Sequence, residues 1–229
     1  MTETNDTGTR LLAILSEIGA HAVLDIGCGH GALARNLVRA GYNVTGIDPA
    51  PEAVAAARLS VPEARFEACG AEALPFAAAS FQACVFLNSL HHVPVPLMPD
   101  ALREALRVLR PGGEVIIVEP LAEGAFFEVM RPVEDETAIR HAAIRAIDTM
   151  LATGEATGPA PVTYARPTPV ADLDAFIAYL ARVDPARRAL AEAQRETLGR
   201  LYAVHVSMGS NGPELIQPLR LWRLRAAKP

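Results

Sequence analysis

The stretch "VLDIGCGHGALARNLVRAGYNVTGID", residues 23–48, decides how the chain is read. It begins in "AVLDI", a short apolar run that reads as a strand, and passes through a turn containing three glycines. It then enters "GALARNLVRAG", where Leu33, Leu37 and Ala40 share one helical face and Gly41 stops the helix. "YNVTGI" reads as a second strand. Strand, glycine turn, helix and strand in this order make a βαβ unit, whose two strands lie parallel.

The same rhythm continues outward. "TRLLAILSEIG" precedes the unit as an amphipathic helix. After it come a helix starting at Pro51 ("PEAVAAARL"), a strand "ARFEA", a stronger strand "FQACVFLN", a helix "PDALREALRVL" closed by "RPGG", and a fifth strand "EVIIVEP". These strands are short, nearly continuous in apolar residues and separated by helices, as in a parallel sheet covered on both faces. The expected fold is an α/β, Rossmann-like, doubly wound, mostly parallel sheet with helices on both faces, its ligand at the carboxyl ends of the strands.

Beyond Pro120 the pattern loosens. Residues 124–154 read as predominantly helical, and "EATGPAPVTYARPTP" reads as a Pro-rich connection. "VADLDAFIAYLARV" and "PARRALAEAQRETLGRLYAVHV" read as two helices, and "LIQPLRLWRLRA" as a final strand at the sheet edge. The expected organisation is a single domain over 1–229, with a core of 9–120 and 171–229 and a lid or substrate insertion over 121–170.

The glycine turn fits two ligands. Gly27, Gly29 and Ala32 satisfy G-x-G-x-x-[G/A], with Asp48 about 20 residues on at the end of the next strand, as a dinucleotide site requires. A carboxylate at Asp48 would equally accept from the ribose hydroxyls of S-adenosylmethionine. Asp25, two residues before Gly27, would repel a pyrophosphate but help hold an ammonium, and the early Gly31 lets the backbone pass close to a bulky ligand, with His30 at the rim. These details favour a zwitterionic, cationic ligand over a dianionic one.

"VLDIGCGHG" resembles the first motif of the class I S-adenosylmethionine-dependent methyltransferases. In order along the chain, "VTGIDPA" is similar to the second motif, "CGAEALPFAAASF" to the segment bordering the adenine, "FLNSLHHV" to the motif after strand four, and "LRPGGEVIIVEP" to the approach to strand five. The likeness covers residues 22–120 and is nearest to the small-molecule group of the ubiquinone and menaquinone methyltransferases. It implies S-adenosylmethionine as cofactor and S-adenosylhomocysteine as product. Asp25, Gly27 and Gly29 would surround the methionine portion, Asp48 the ribose, Ala71 and Glu72 the adenine, and Asn88 with Leu87 the sulfonium. Cys28, Pro49 and Gly70 complete the expected cofactor shell. Relatives often carry an Asp where this chain has Gly70, so that adenine contact is missing or made otherwise; Gln82 also stands where Asp is common.

Methyl transfer is an in-line displacement and requires no metal. The candidates for base or positioner are His91 and His92, of which at most one should face substrate, and then Glu119 at the end of strand five. Glu134, Asp135 and Glu136 read as acids at a helix start, alternatively as recognising a cationic substrate; Arg131, Arg140 and Tyr164 could bind an anionic one.

Composition narrows the partners. A formal charge of −5 argues against nucleic acid, whose backbone calls for clustered Lys and Arg. The basic alternation near the end reads as edge decoration. Three widely spaced cysteines read as small buried thiols in a reducing compartment. With neither a secretory signal nor an apolar run of roughly 18 residues, the expectation is a cytoplasmic monomer or homodimer acting on a small molecule. The alternatives are an NAD(P)-dependent oxidoreductase and a SAM-binding protein without transferase activity.

Overall fold

The computed structural model describes residues 6–227. In chain order its elements are α1 (Thr7–Glu17), β1 (Ala22–Ile26), α2 (Ala32–Arg39), β2 (Asn43–Asp48), α3 (Pro51–Ser60), β3 (Arg65–Ala68), β4 (Phe81–Leu87), α4 (Met98–Arg107) and β5 (Leu109–Pro120). There follow α5 (Ala125–Met130), α6 (Thr137–Ala152), β6 (Ala156–Thr157), β7 (Val162–Pro169), α7 (Leu173–Val183), α8 (Arg187–Ala193), α9 (Arg195–His205), β8 (Ser207–Gly209) and β9 (Gly212–Ala226). Among the described residues no helix is long and apolar enough to cross a membrane.

The sheet runs β3-β2-β1-β4-β5-β9-β6, with β7 and β8 also pairing with β9. β1 to β5 pair in parallel, while β6 and β8 run antiparallel to β9. The order reverses between β1 and β4. In a parallel sheet this reversal opens a crevice at the strands' carboxyl ends.

The chain divides into two compact units. One holds residues up to Glu119, then Ala142–Val162 and the residues from Arg220; the other holds Pro120–His141 and Thr163–Leu219. The second unit begins at Pro120, beside the start of the expected 121–170 insertion, but 142–162 group with the first unit and 171–219 with the second.

In the first unit Leu24, Ile26, Phe86, Ile117 and Trp222 are fully buried in one core. Gln82 fastens the start of β4 to the turn before β1, its Oε1 accepting from the His21 and Ala22 N–H groups at 2.9 Å. The expected edge strand is not an edge, since β9 lies between β5 and β6. Its basic residues have a buried purpose: Arg223 donates to Glu114 at 2.6 and 3.0 Å and Arg225 at 2.8 and 2.5 Å, with Glu114 only 1% exposed.

In the second unit Phe126, Phe127, Phe176 and Leu215 lie in a separate core. Asp172 caps α7 by accepting from Ala175 N–H at 2.8 Å. The Pro-rich connection turns out to hold strands β6 and β7. The long helix expected over 185–206 is two helices, α8 and α9, parted at Gln194.

Candidate functional site

The three glycines of the turn have left-handed φ values of +77°, +50° and +81°, each for a different reason. A Cβ on Gly27 would lie 2.5 Å from the Ser89 Cβ, so Gly27 admits the turn that follows β4. A Cβ on Gly31 would press on Ala57 of α3 at 3.3 Å, so this glycine serves helix packing and not the ligand approach expected of it, whereas a Cβ on Gly29 would meet nothing within 4 Å among the described residues.

The turn's backbone donors are bonded internally. Gly27 and Cys28 N–H donate to Ile47 C=O at 2.8 and 2.9 Å, and Gly31 N–H donates to Cys28 C=O at 2.9 Å. Gly29 N–H donates to Asp48 Oδ2 at 2.9 Å, and the other oxygen of Asp48 accepts from Ala50 N–H at 3.0 Å. None of these four N–H groups is left to form a phosphate nest.

Beside the turn lies a cavity of about 580 Å³, within the range of small-molecule sites. Of the expected cofactor shell, Gly27, Gly29, Asp48, Pro49, Gly70, Ala71, Glu72 and Asn88 line it. Asp25, Cys28 and Leu87 do not. Asp25 and Cys28 are buried beneath, whereas Leu87 points to a different hollow between α1 and α2. Sequence reasoning passed over Ile26, Ile47, Cys69, Ser89, Val93 and Pro94, which also line the cavity. Their common signal is position: Ile26, Ile47, Cys69 and Ser89 stand within two residues of a strand's carboxyl end, and Val93 and Pro94 follow in the segment after β4.

The cavity's charge is one-sided. Asp48 and Glu72 line it, and no Lys or Arg does. The Glu72 carboxylate folds back over Gly70, where a Cβ would collide with it, and so occupies the space in which a side chain at 70 would begin. Asn88, at φ +54°, has a buried Oδ1 without a hydrogen-bond partner among the described residues.

Asp25 is 2% exposed and faces Gly46 and Val85 on the flanking strands, so neither neighbour in the register offers a countercharge. Ala34 N–H donates to its carboxyl, and Oδ2 has no partner among the described residues. Burial first, and the Asp48 carboxylate second, push its pKa from 3.8 up to about 7. Burial and the same two acids also push the Cys28 thiol well up, which keeps it protonated and unreactive.

The three catalytic candidates separate. Residues Leu90–His92 form a single 3-10 turn, in which His92 lines the cavity while His91 is buried behind it. The two rings are in contact, tilted by 40° with centroids 4.1 Å apart. Glu119 is 1% exposed, away from the cavity, and its Oε2 meets His91 Nδ1. Direct contact with a ligand is thus open to His92 and closed to His91 and Glu119.

The charged residues at 131–140 are engaged with one another. Glu136 Oε2 accepts from Arg140 at 2.9 and 2.6 Å, its Oε1 accepts from Arg187 at 3.1 Å, and Glu134 accepts from Arg187 at 2.6 Å. Asp135 accepts from Thr137 N–H at 3.0 Å at the start of α6, and Arg131 pairs with Glu128 at 3.1 Å. Tyr164 is buried. The capping and pairing reading accounts for this segment, and substrate recognition by these charges is not needed to explain them.

Residues 23–113 match a family model described as a methyltransferase domain. A malonyl-[acyl-carrier protein] O-methyltransferase of Pectobacterium atrosepticum is 37% identical over 123 residues, 54% of this chain and 47% of that protein. A ubiquinone biosynthesis O-methyltransferase of Xanthomonas oryzae is 36% identical over 106 residues, 44% of each. The chain thus spans about half the length of the curated relatives it matches. Among solved structures, a Bacillus halodurans protein superposes with a TM-score of 0.67 at 18% identity, covering 97% of this chain and 99% of that one. The [4+2]-cyclase SpnF superposes at 0.64 and 20% identity, over 96% and 82%. At these identities the superpositions establish the fold.

Proposed function

We propose, from the match of residues 23–113 to a methyltransferase-domain family model, that the protein moves the methyl group of S-adenosylmethionine to a small-molecule acceptor, releasing S-adenosylhomocysteine. The observation that carries this reading is the chemistry of the cavity wall, two carboxylates with no Lys or Arg beside a glycine turn whose N–H groups are already bonded. A dinucleotide's pyrophosphate would meet negative charge and few donors there. A sulfonium with an ammonium meets complementary charge.

The residues fit that cofactor. Asp25, with its unpartnered Oδ2 beneath the turn, supplies negative charge for the ammonium. Asp48 serves the ribose hydroxyls, the 69–72 segment the adenine, and Asn88 the sulfonium end. The bound cofactor supplies an activated methyl carbon open to in-line displacement. Holding an acceptor in line with it is worth about 7–11 kcal/mol of barrier. His92, at the cavity wall, is the group able to take a proton from the acceptor, which adds about 10² to 10⁴ in rate where the acceptor must lose one. A cytoplasmic setting, with the three free cysteines kept reduced, and action as a monomer or homodimer complete the proposal.

Calorimetric titration with S-adenosylhomocysteine and, separately, with NAD tests the cofactor. Binding of the adenosyl compound and none of NAD is expected; the reverse overturns the reading. Labelled S-adenosylmethionine with a panel of amines, phenols, thiols and carboxylates then identifies the acceptor. Cofactor binding with no turnover across the panel would favour a SAM-binding protein that does not methylate.

A further inference from the structure

Strand β5 carries two fully buried carboxylates with opposite solutions to the same problem. Glu114 is neutralised by two arginines. Glu119, five residues on and equally buried, accepts from a single turn: Ser89 N–H at 3.2 Å and Leu90 N–H at 2.8 Å to Oε1, and His91 Nδ1 to Oε2. A carboxylate only accepts, so His91 carries its hydrogen on Nδ1. Glu119 therefore does for the 3-10 turn what a capping side chain does for a helix, since no residue at the turn's own start caps it.

What this turn carries matters. Asn88, Ser89, His92, Val93 and Pro94 all line the cavity. Asn88 holds a left-handed backbone, which for a residue other than glycine persists only where the surroundings enforce it. Its N–H donates to Val118 C=O at 2.8 Å, and Ser89 Oγ donates to Ile26 C=O at 2.6 Å. The segment is thereby tied to β1 and to β5, and Glu119 closes the tie from the β5 side.

We propose that Glu119 is a positioning residue: by holding residues 89–91 it fixes the cavity wall that presents Asn88 and His92, without itself touching a ligand. This rests on the reading of the cavity as the methyl-donor site. An amide at this position would set an NH₂ group against one of three donors, and the wall would rearrange.

The test compares Glu119→Gln with Glu114→Gln by calorimetric titration with S-adenosylhomocysteine, alongside thermal melts and backbone and imidazole NMR of the unliganded proteins. Glu119→Gln is expected to weaken binding at least tenfold, and to shift the resonances of 88–94 while those of 69–72 stay in place. Glu114→Gln, though also destabilised, is expected to bind within twofold of wild type. Glu119→Asp keeps the charge but withdraws it by one methylene; it is expected to show the same resonance shifts and serves if the amide variant does not fold. Glu119→Gln binding within twofold of wild type, or Glu114→Gln weakening binding as much, overturns the proposal. If wild type fails to bind the compound, the donor-site reading falls instead. Positioning then stands or falls on whether the 88–94 resonances move.

Discussion

Asp25 and Glu136 are both buried acids, and the molecule treats them differently. Glu136, in the second unit, is 3% exposed and held by Arg140 and Arg187. Asp25, in the first, is 2% exposed and has one oxygen without a partner among the described residues. A buried acid that is paired serves architecture, whereas one left unpaired is a cost to the unliganded fold, which the proposed function assigns to the ligand. The difference separates two residues that are both simply acidic in the sequence.

Breaking the paired side should have the largest effect. Arg140→Met removes two hydrogen bonds to Glu136, another to Leu121 C=O and the guanidinium over the Phe127 ring. Chemical denaturation should show a loss of about 3–5 kcal/mol, because a buried carboxylate is left short of a partner. Gly27→Ala comes next. Its methyl would meet Ser89 Cβ at 2.5 Å on a left-handed backbone, and a loss of about 1–3 kcal/mol is expected from overpacking, read by the same method.

Removing the unpaired charge should act in the opposite direction. Asp25→Asn is expected to stabilise the unliganded protein above about pH 7, by about 1–3 kcal/mol, and to weaken S-adenosylhomocysteine binding. The sign follows from linkage. With a folded pKa of about 7 against an ordinary 3.8, the folded state retains a proton that the unfolded chain has lost between those values. The wild-type contribution is therefore present at acid pH and declines as pH rises through about 7. Denaturation of both proteins at several pH values should show their stability difference growing from about pH 5 to pH 8; a flat difference would mean that Asp25 is charged throughout. The smallest effect belongs to Arg200→Ala, whose partner Glu196 is solvent-exposed. A change below about 1 kcal/mol is expected there.

Legibility follows the same divide. β1 was readable to the residue because "AVLDI" is a buried parallel strand, and such strands are apolar almost throughout. β7, in "VTYARPTP", alternates between exposed and covered residues and contains prolines, so composition spoke for a loop while pairing with β9 made a strand. Gln82 stands where Asp is common, and only the fold shows its amide joining β4 to the turn before β1. The eight shell residues that line the cavity sit in local motifs with fixed backbone geometry. His91 and His92 could not be told apart, since their fates depend on Glu119, 28 residues from His91. Likewise nothing local announces that Arg223 and Arg225 meet Glu114.

The internal bonding of the glycine turn has one more consequence. Because the amides of Gly27, Cys28, Gly29 and Gly31 are bonded within the protein, they should resist deuterium exchange before any ligand is added. An incoming molecule then finds this rim already ordered, and little of its binding free energy goes into organising the loop.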